Sequence, residues 1–175
     1  MHSLPLPSTD APDAPAVDPQ ALRHALGQFA TGITVVTTLA AGRPVGMTVN
    51  SFASVSLDPP LILWSVGRSA ECYQAFASAA QFRVHVLAAD QEPVSRRFAT
   101  RGAEKFSVGD WTFPADAPPQ LAGCVAWFEC RSASRHPEGD HLVLIGRVIA
   151  QGAAGGAPLL FHDSRYGRLG SPTAG

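Results

Sequence analysis

The stretch Gly46–Pro60, GMTVNSFASVSLDPP, sets Thr48, Asn50, Ser51, Ser54 and Ser56 among apolar neighbours. Strands tolerate Thr, but Asn and repeated Ser are poor strand formers. A flat heteroaromatic ring with carbonyl and imide edges would use such hydroxyl and amide groups for neutral hydrogen bonds. An exposed, hydroxyl-rich strand face is the alternative, and composition does not separate the two.

Two further stretches carry charge. In Ser65–Cys72, SVGRSAEC, Gly67 loosens the chain, Arg68 supplies a guanidinium fork and Ser69 stands at an expected helix start. Free N–H groups and the positive helix end there suit a phosphate; an ordinary capped helix with a surface Arg is the competing reading. Arg96, Arg97, Phe98, Arg101, Lys105 and Phe106 form a second cationic cluster. An Arg-rich helix is usually a solvated face, although the lone Lys beside an aromatic also suits the flank of a ring or a phosphate.

The third stretch, His136–Val148, reads HPEGDHLVLIGRV, with His141 where a turn meets an apolar run. His136, Asp140 and His141 match no strong zinc spacing and have no Cys to help, so no metal is expected. No G-x-S-x-G elbow is present to support a Ser–His–Asp hydrolase. Spacing leaves a strand-capping His and a ligand-facing His equally open. No G-x-G-x-x-G follows a strand, which removes a Rossmann nicotinamide site, and no Walker A loop occurs.

Several elements must position these groups. Residues 1–16, rich in Pro, Ala, Ser and Asp, read as a disordered tail, and 171–175 as a flexible C-terminus. Asp18 and Pro19 open a helix, with Leu22, Ala25, Leu26 and Phe29 on one face and Thr31-Gly32 at its end. Strands are expected at 33–39, 45–57, 61–66, 82–88, 125–132, 141–150 and 158–162. Helices are expected at 70–78 and 90–100. Six or seven strands without βαβ alternation favour a closed antiparallel barrel with helices outside its walls.

The bulk properties agree with one domain, 17–170. The chain has 175 residues, 46% hydrophobic and 15% charged, with a formal net charge of -1. That is apolar for a monomer and suggests that a second copy covers part of the surface. A nearly neutral chain has no global field for nucleic acid. No apolar run of about 18 residues is available to cross a bilayer. Cys72, Cys124 and Cys130, an odd count without C-x-x-C, suggest no disulfide framework and a reduced, cytoplasmic setting.

In order, ALRHALGQFATGITVVTT, GMTVNSFASVSLDPPLILWSV, RFAT…KF and GDHLVLIGRV resemble the short-chain flavin reductases over about Asp18 to Leu169. These are reductase components of two-component flavin monooxygenases, on the FMN-binding split barrel. The resemblance implies a mainly β, antiparallel, Greek-key-like split barrel with a few flanking helices, forming a homodimer. It implies FMN or FAD as flavin and NADH or NADPH as co-substrate. Met47, Thr48, Val49, Asn50, Ser51 and Ser54 would contact the isoalloxazine region. Ser65, Val66, Arg68 and Ser69 would lie near the ribityl or phosphate part, and Phe98, Lys105 and Phe106 further along. Gly139, Asp140 and His141 would line the nicotinamide side, with Tyr166 closing over the same pocket and His141 meeting the nicotinamide.

Hydride must then pass from nicotinamide C4 to flavin N5, which needs stacked rings and excluded water rather than a strong base. The reduced flavin would diffuse to a partner monooxygenase, which implies a shallow, polar site. The strand FRVHVLA departs from the family in carrying His85 where Asn is usual. Ala70, Glu71 and Cys72 replace the hydroxyls usual after Ser69. Both departures bear on the phosphate side and on the choice of flavin.

Overall fold

A computed structural model describes residues 17–107 and 110–170; the expected tails at 1–16 and 171–175 lie outside the described residues. Helix α1 (Pro19–Gly27) starts as its sequence dictates, since the Asp18 carboxylate accepts from the Gln20 and Ala21 amides at 3.1 and 3.2 Å. It stops earlier than expected: Phe29 lies beyond it, and Thr31–Gly32 forms a short strand, β1, instead of the helix end.

Strand β2 (Thr34–Ala40) pairs with β3 (Arg43–Val49) across a turn at Ala41 and Gly42. Both residues have positive φ, 49° and 74°, as a tight hairpin whose twist matches its strands requires. The expected single strand over 45–57 is two strands. β3 ends at Val49, and β4 (Ala53–Leu57) begins after a break containing Asn50 and Ser51. The poor strand propensity of Asn and Ser thus marks a corner rather than a decorated strand face.

The remaining elements are β5 (Pro60–Gly67), α2 (Tyr73–Ser78), β6 (Gln81–Val86), α3 (Glu92–Ala99), β7 (Trp111–Thr112), β8 (Gln120–Leu121), β9 (Ala126–Glu138), β10 (His141–Ala153), β11 (Leu160–His162) and β12 (Arg165–Gly167). Strand β9 runs further than expected, so His136 and Pro137 sit in the ladder opposite Val143 and Leu142. The hairpin turn narrows to Gly139-Asp140, with Gly139 at φ 53°.

Seven strands form one antiparallel sheet in the order β3-β2-β6-β9-β10-β5-β4. Its two edges, β3 and β4, are consecutive in the chain, and no ladder joins them among the described residues. The pairing is therefore open at the Asn50 corner, in keeping with the split barrel that the resemblance implies rather than the closed barrel that the strand count favours. The sheet still curls enough for Val36, Trp64, Phe82 and Leu144 to share one core. Trp64 stands edge-on to Phe76 and Phe82 at centroid separations of 4.8 and 5.7 Å.

Strand β2 is buried on both sides. Val36 faces that core, while Val35 joins a second one with Ile33, Leu87, Phe98, Leu121 and Leu159. Its buried Thr34, Thr37 and Thr38 hydroxyls donate to the Val49, Pro119 and Gln81 carbonyls. These bonds meet the requirement that buried polar groups be paired. The second core seats α3 through Phe98, and α3 meets β3 directly where Phe98 approaches Gly46 and the Thr48 hydroxyl reaches Ser95.

Candidate functional site

A groove follows β3 from the Asn50 corner toward Arg43. Three abutting clefts compose it. The first, about 190 Å³, is lined by Thr48, Val49, Asn50, Ser95, Ala99 and Tyr166 among others. The second, about 310 Å³, shares Ala99 and adds Met47, Gly67, Ser69, Cys72, Phe98 and Lys105. The third, about 700 Å³, shares Glu71, Cys72 and Lys105 and reaches Arg43, Gly46 and Phe106. One strand thus supplies the floor, and α3 with residues 98–107 supplies the opposite wall. The approach is close: a Cβ on Gly46 would stand 2.6 Å from Phe98 Cε1. Met47, Cys72, Phe98 and Phe106 bring apolar and thiol groups to the walls of the groove, where a polar site was expected.

Most of the expected flavin-side residues gather here, but with different tasks. The Thr48 hydroxyl donates to the Ser95 carbonyl at 2.7 Å. Ser51 Oγ accepts from the Ser65 amide at 3.0 Å, tying the corner to β5. Asn50 is exposed at the corner and lines the first cleft. Val49 and Val66 point into the core, so only their backbones remain for a ligand. Phe98 is 2% exposed and serves chiefly to pack α3, with Phe106 edge-on to it at 5.2 Å. Cys72 Sγ donates to Met47 Sδ at 3.4 Å within the second cleft.

Lys105 Nζ donates to the Phe98 and Thr100 carbonyls at 3.0 and 2.9 Å. Its ammonium thereby caps the end of α3, where cations are favoured. Burial pushes its pKa down, against smaller opposing pulls from Cys72 and Glu71.

Three expectations are corrected. Helix α2 begins at Tyr73 with Cys72 at its N-cap and no side-chain cap. Ser69 is therefore not at a helix N-terminus; residues 68–72 form a turn in which the Arg68 amide donates to the Asp140 carbonyl. Ser54 is exposed on β4, away from the three clefts, because the corner turns the chain to the other sheet edge. His85 lines none of them either. It is wholly buried beside Trp111, with Nδ1 donating to the Val35 carbonyl at 3.0 Å. Its exchange for Asn therefore does not bear on a phosphate contact.

His141 opens β10 opposite Gly67, a residue of the second cleft. A Cβ on Gly67 would lie 3.6 Å from His141 Nε2. His141 Nδ1 lies 2.7 Å from Asp140 Oδ1, and this hydrogen bond, aided by charge, holds the Asp140 carboxyl below its usual range. Tyr166 lies elsewhere, over Thr48 to Asn50 in the first cleft. Within one chain the two nicotinamide-side elements do not line a common cleft.

Ser95 was missed by the sequence reading. It is fully buried, and its hydroxyl bonds Tyr166 Oη at 2.9 Å. A Ser on the same helical stripe as Phe98 was the available signal, since an apolar face leaves little reason for a hydroxyl.

The donor set suits a flat neutral ring with an anionic tail. Amide and hydroxyl groups stand at one end, and a single ammonium stands midway. The second and third clefts, about 310 and 700 Å³, each fall in the range of small-molecule and cofactor sites, about 300–1,000 Å³. A split antiparallel sheet of this kind is shared with solved flavin reductases such as PheA2, which superposes with a TM-score of 0.82 at 34% identity. The flavin reductase like domain matches residues 26–170, and the chain belongs to that family.

An FMN reductase (NADH), SmoA, of Agrobacterium fabrum is 47% identical over 150 residues, covering 86% of each chain. The reductase subunit HsaB of a flavin-dependent monooxygenase of Rhodococcus jostii is 40% identical over 154 residues, covering 87% of this chain and 79% of that one. Among solved structures, the NADH:FAD oxidoreductase SgcE6 of Streptomyces globisporus, in complex with NAD and FAD fragments, superposes with a TM-score of 0.83. It shares 39% identity over 92% of this chain and all of that chain. Some relatives are longer: the chain spans 44% and 62% of two from Rhizobium meliloti.

Proposed function

We propose that the protein is an NAD(P)H:flavin oxidoreductase that passes a hydride from the nicotinamide to FMN or FAD and supplies the reduced flavin to a partner monooxygenase. The observation that carries this reading is the groove on β3, in which Thr48, Asn50 and Tyr166 stand at one end and Ser69 and Lys105 follow. Family membership and the names of the relatives support the same chemistry.

A bound flavin supplies the hydride acceptor. In this reading the Asn50 amide and the backbone of Thr48 to Ser51 hold the ring edge. The Lys105 ammonium and Ser69 meet the phosphate end. Met47, Phe98 and Phe106 give the walls an apolar surface that excludes water. The Gly139–His141 turn meets the nicotinamide, with Asp140 orienting the His141 ring through Nδ1. Positioning, rather than a strong base, does the catalytic work.

We infer a homodimer from α1. Leu22, Leu26 and Phe29 are 47%, 66% and 78% exposed, and the helix buries no residue within the chain. An apolar face of this kind calls for a cover, and a second copy also allows the His141 turn of one subunit to complement the Tyr166 cleft of the other. Cys72, Cys124 and Cys130 are free thiols, which supports a reducing, cytoplasmic setting.

The test follows NADH and NADPH absorbance with free FMN and FAD in all four combinations. Turnover that requires added flavin supports the reading. Loss of NADH no faster than in buffer, together with retained flavin binding, would leave a flavin-binding protein without reductase activity.

A further inference from the structure

One side chain outside the expected set joins three elements at the Asn50 end of the groove. Ser95 is fully buried on α3. Its carbonyl accepts the Thr48 hydroxyl of β3, and its own hydroxyl bonds Tyr166 Oη of β12 at 2.9 Å. The next residue, Arg96, lays its guanidinium over the Tyr166 ring at 4.6 Å from the centroid. Arg96 is itself held by Glu92 one turn back, at 2.8 Å. Phe161 packs against the same phenol at 5.5 Å and 69°. The Tyr166 phenol is thus fixed at its hydroxyl, on its face and by an aromatic neighbour, while it lines the cleft shared with Thr48 and Asn50.

A buried hydroxyl on a helix can satisfy itself by donating to a carbonyl one turn back. Ser95 reaches another element instead. Without that bond the half-buried phenol would keep only its ring contacts with Arg96 and Phe161, and its hydroxyl end of the cleft wall would be less ordered. Holding such a wall in place before a ligand arrives lowers the ordering cost of binding.

We propose that Ser95 is a positioning residue, which fixes the Tyr166 phenol as the wall of the nicotinamide end of the groove. It acts through Tyr166 and touches no reacting atom. The proposal rests on the flavin-reductase reading and on the placement of Tyr166 beside the nicotinamide.

Ser95→Ala and Tyr166→Phe remove the same bond from its two ends and leave the aromatic ring in place. At saturating flavin, each is expected to raise the KM for NADH about three- to tenfold, the worth of one hydrogen bond. In Ser95→Ala the kcat and the flavin Kd should stay within twofold. A purely structural role would instead lower the active fraction, and therefore kcat, and would disturb both ligands together. The double variant should resemble either single variant, because the second change removes nothing further.

A KM for NADH within twofold of wild type in Ser95→Ala, or effects that multiply in the double variant, would overturn the proposal. If Ser95→Ala does not fold, Tyr166→Phe decides alone, and an unchanged KM there overturns it equally. Wild-type protein that oxidises no NADH with either flavin removes the underlying reading and the proposal with it. An active wild type with an indifferent Ser95→Ala removes only the proposal.

Discussion

His85 makes stability depend on pH in a way that the structure quantifies. The ring is fully buried. Its Nδ1 faces the Val35 carbonyl at 3.0 Å, and a carbonyl can only accept, so Nδ1 carries the proton. Its Nε2 is buried without a partner, and adding a proton there would create an unpaired buried charge. Desolvation therefore drives the pKa from 6.5 to about 3, with the nearby Arg83 cation adding to the fall and the Val35 bond opposing it.

The folded chain resists a proton that the unfolded chain accepts, so stability falls as pH drops below the unfolded value. The contribution is fully present above about pH 7 and declines from there toward pH 3. Between pH 7.5 and pH 5 the loss is about 2 kcal/mol, from 1.36 kcal/mol per pH unit below 6.5. Urea unfolding of wild type and His85→Asn across that interval measures it, since the Asn side chain does not titrate and can still donate to Val35. Subtracting the two curves cancels the other titrating groups. The wild-type curve should fall about 2 kcal/mol more than that of the variant. Parallel curves would refute the reasoning. Because His85 lines no cleft, NADH oxidation at pH 7.5 should be the same in both proteins.

His141→Ala should raise the KM for NADH more than it weakens flavin binding, because in the proposed reading the Gly139–His141 turn meets the nicotinamide across the subunit boundary; steady-state kinetics with a flavin titration would show equal losses if the ring were merely structural. Asn50→Leu should weaken flavin binding by about 1–3 kcal/mol through loss of a ring-edge hydrogen bond, and an unchanged Kd by fluorescence quenching would contradict that placement. Gly146→Ala should destabilise by about 1–3 kcal/mol, since its Cβ would come 3.0 Å from Cys130 Cβ and closer still to the Phe82 ring. A melting temperature within a degree of wild type would show that the Phe82 ring can move aside.

Much of the fold was legible because it rests on local chemistry. Asp18-Pro19 announces a helix start through capping geometry, and β-branched runs announce strands through their fit to a pleated surface. Boundaries were less secure where one signal served two meanings. Asn50 and Ser51 looked like polar decoration on a long strand and are the corner between two. Ser69 looked like a helix cap, but the helix starts at Tyr73, since a hydroxyl caps only when the amides two or three residues on are free and aimed at it.

The sequence by itself determined which side chains were available: an amide and hydroxyls near residue 50, one Lys, a Gly-Asp-His turn, and a buried strand carrying a histidine. Tertiary structure decided what each one faces. It turned Ser54 to the opposite sheet edge and sealed His85 behind Trp111. It separated Tyr166 from His141 and joined Ser95 to Tyr166 across 71 residues. Propensity and spacing act over a few residues, whereas these pairings join elements far apart in the chain, as when Tyr166 of β12 meets Ser95 of α3. That path minimises exposed apolar surface for the chain as a whole, and no short window of sequence contains it.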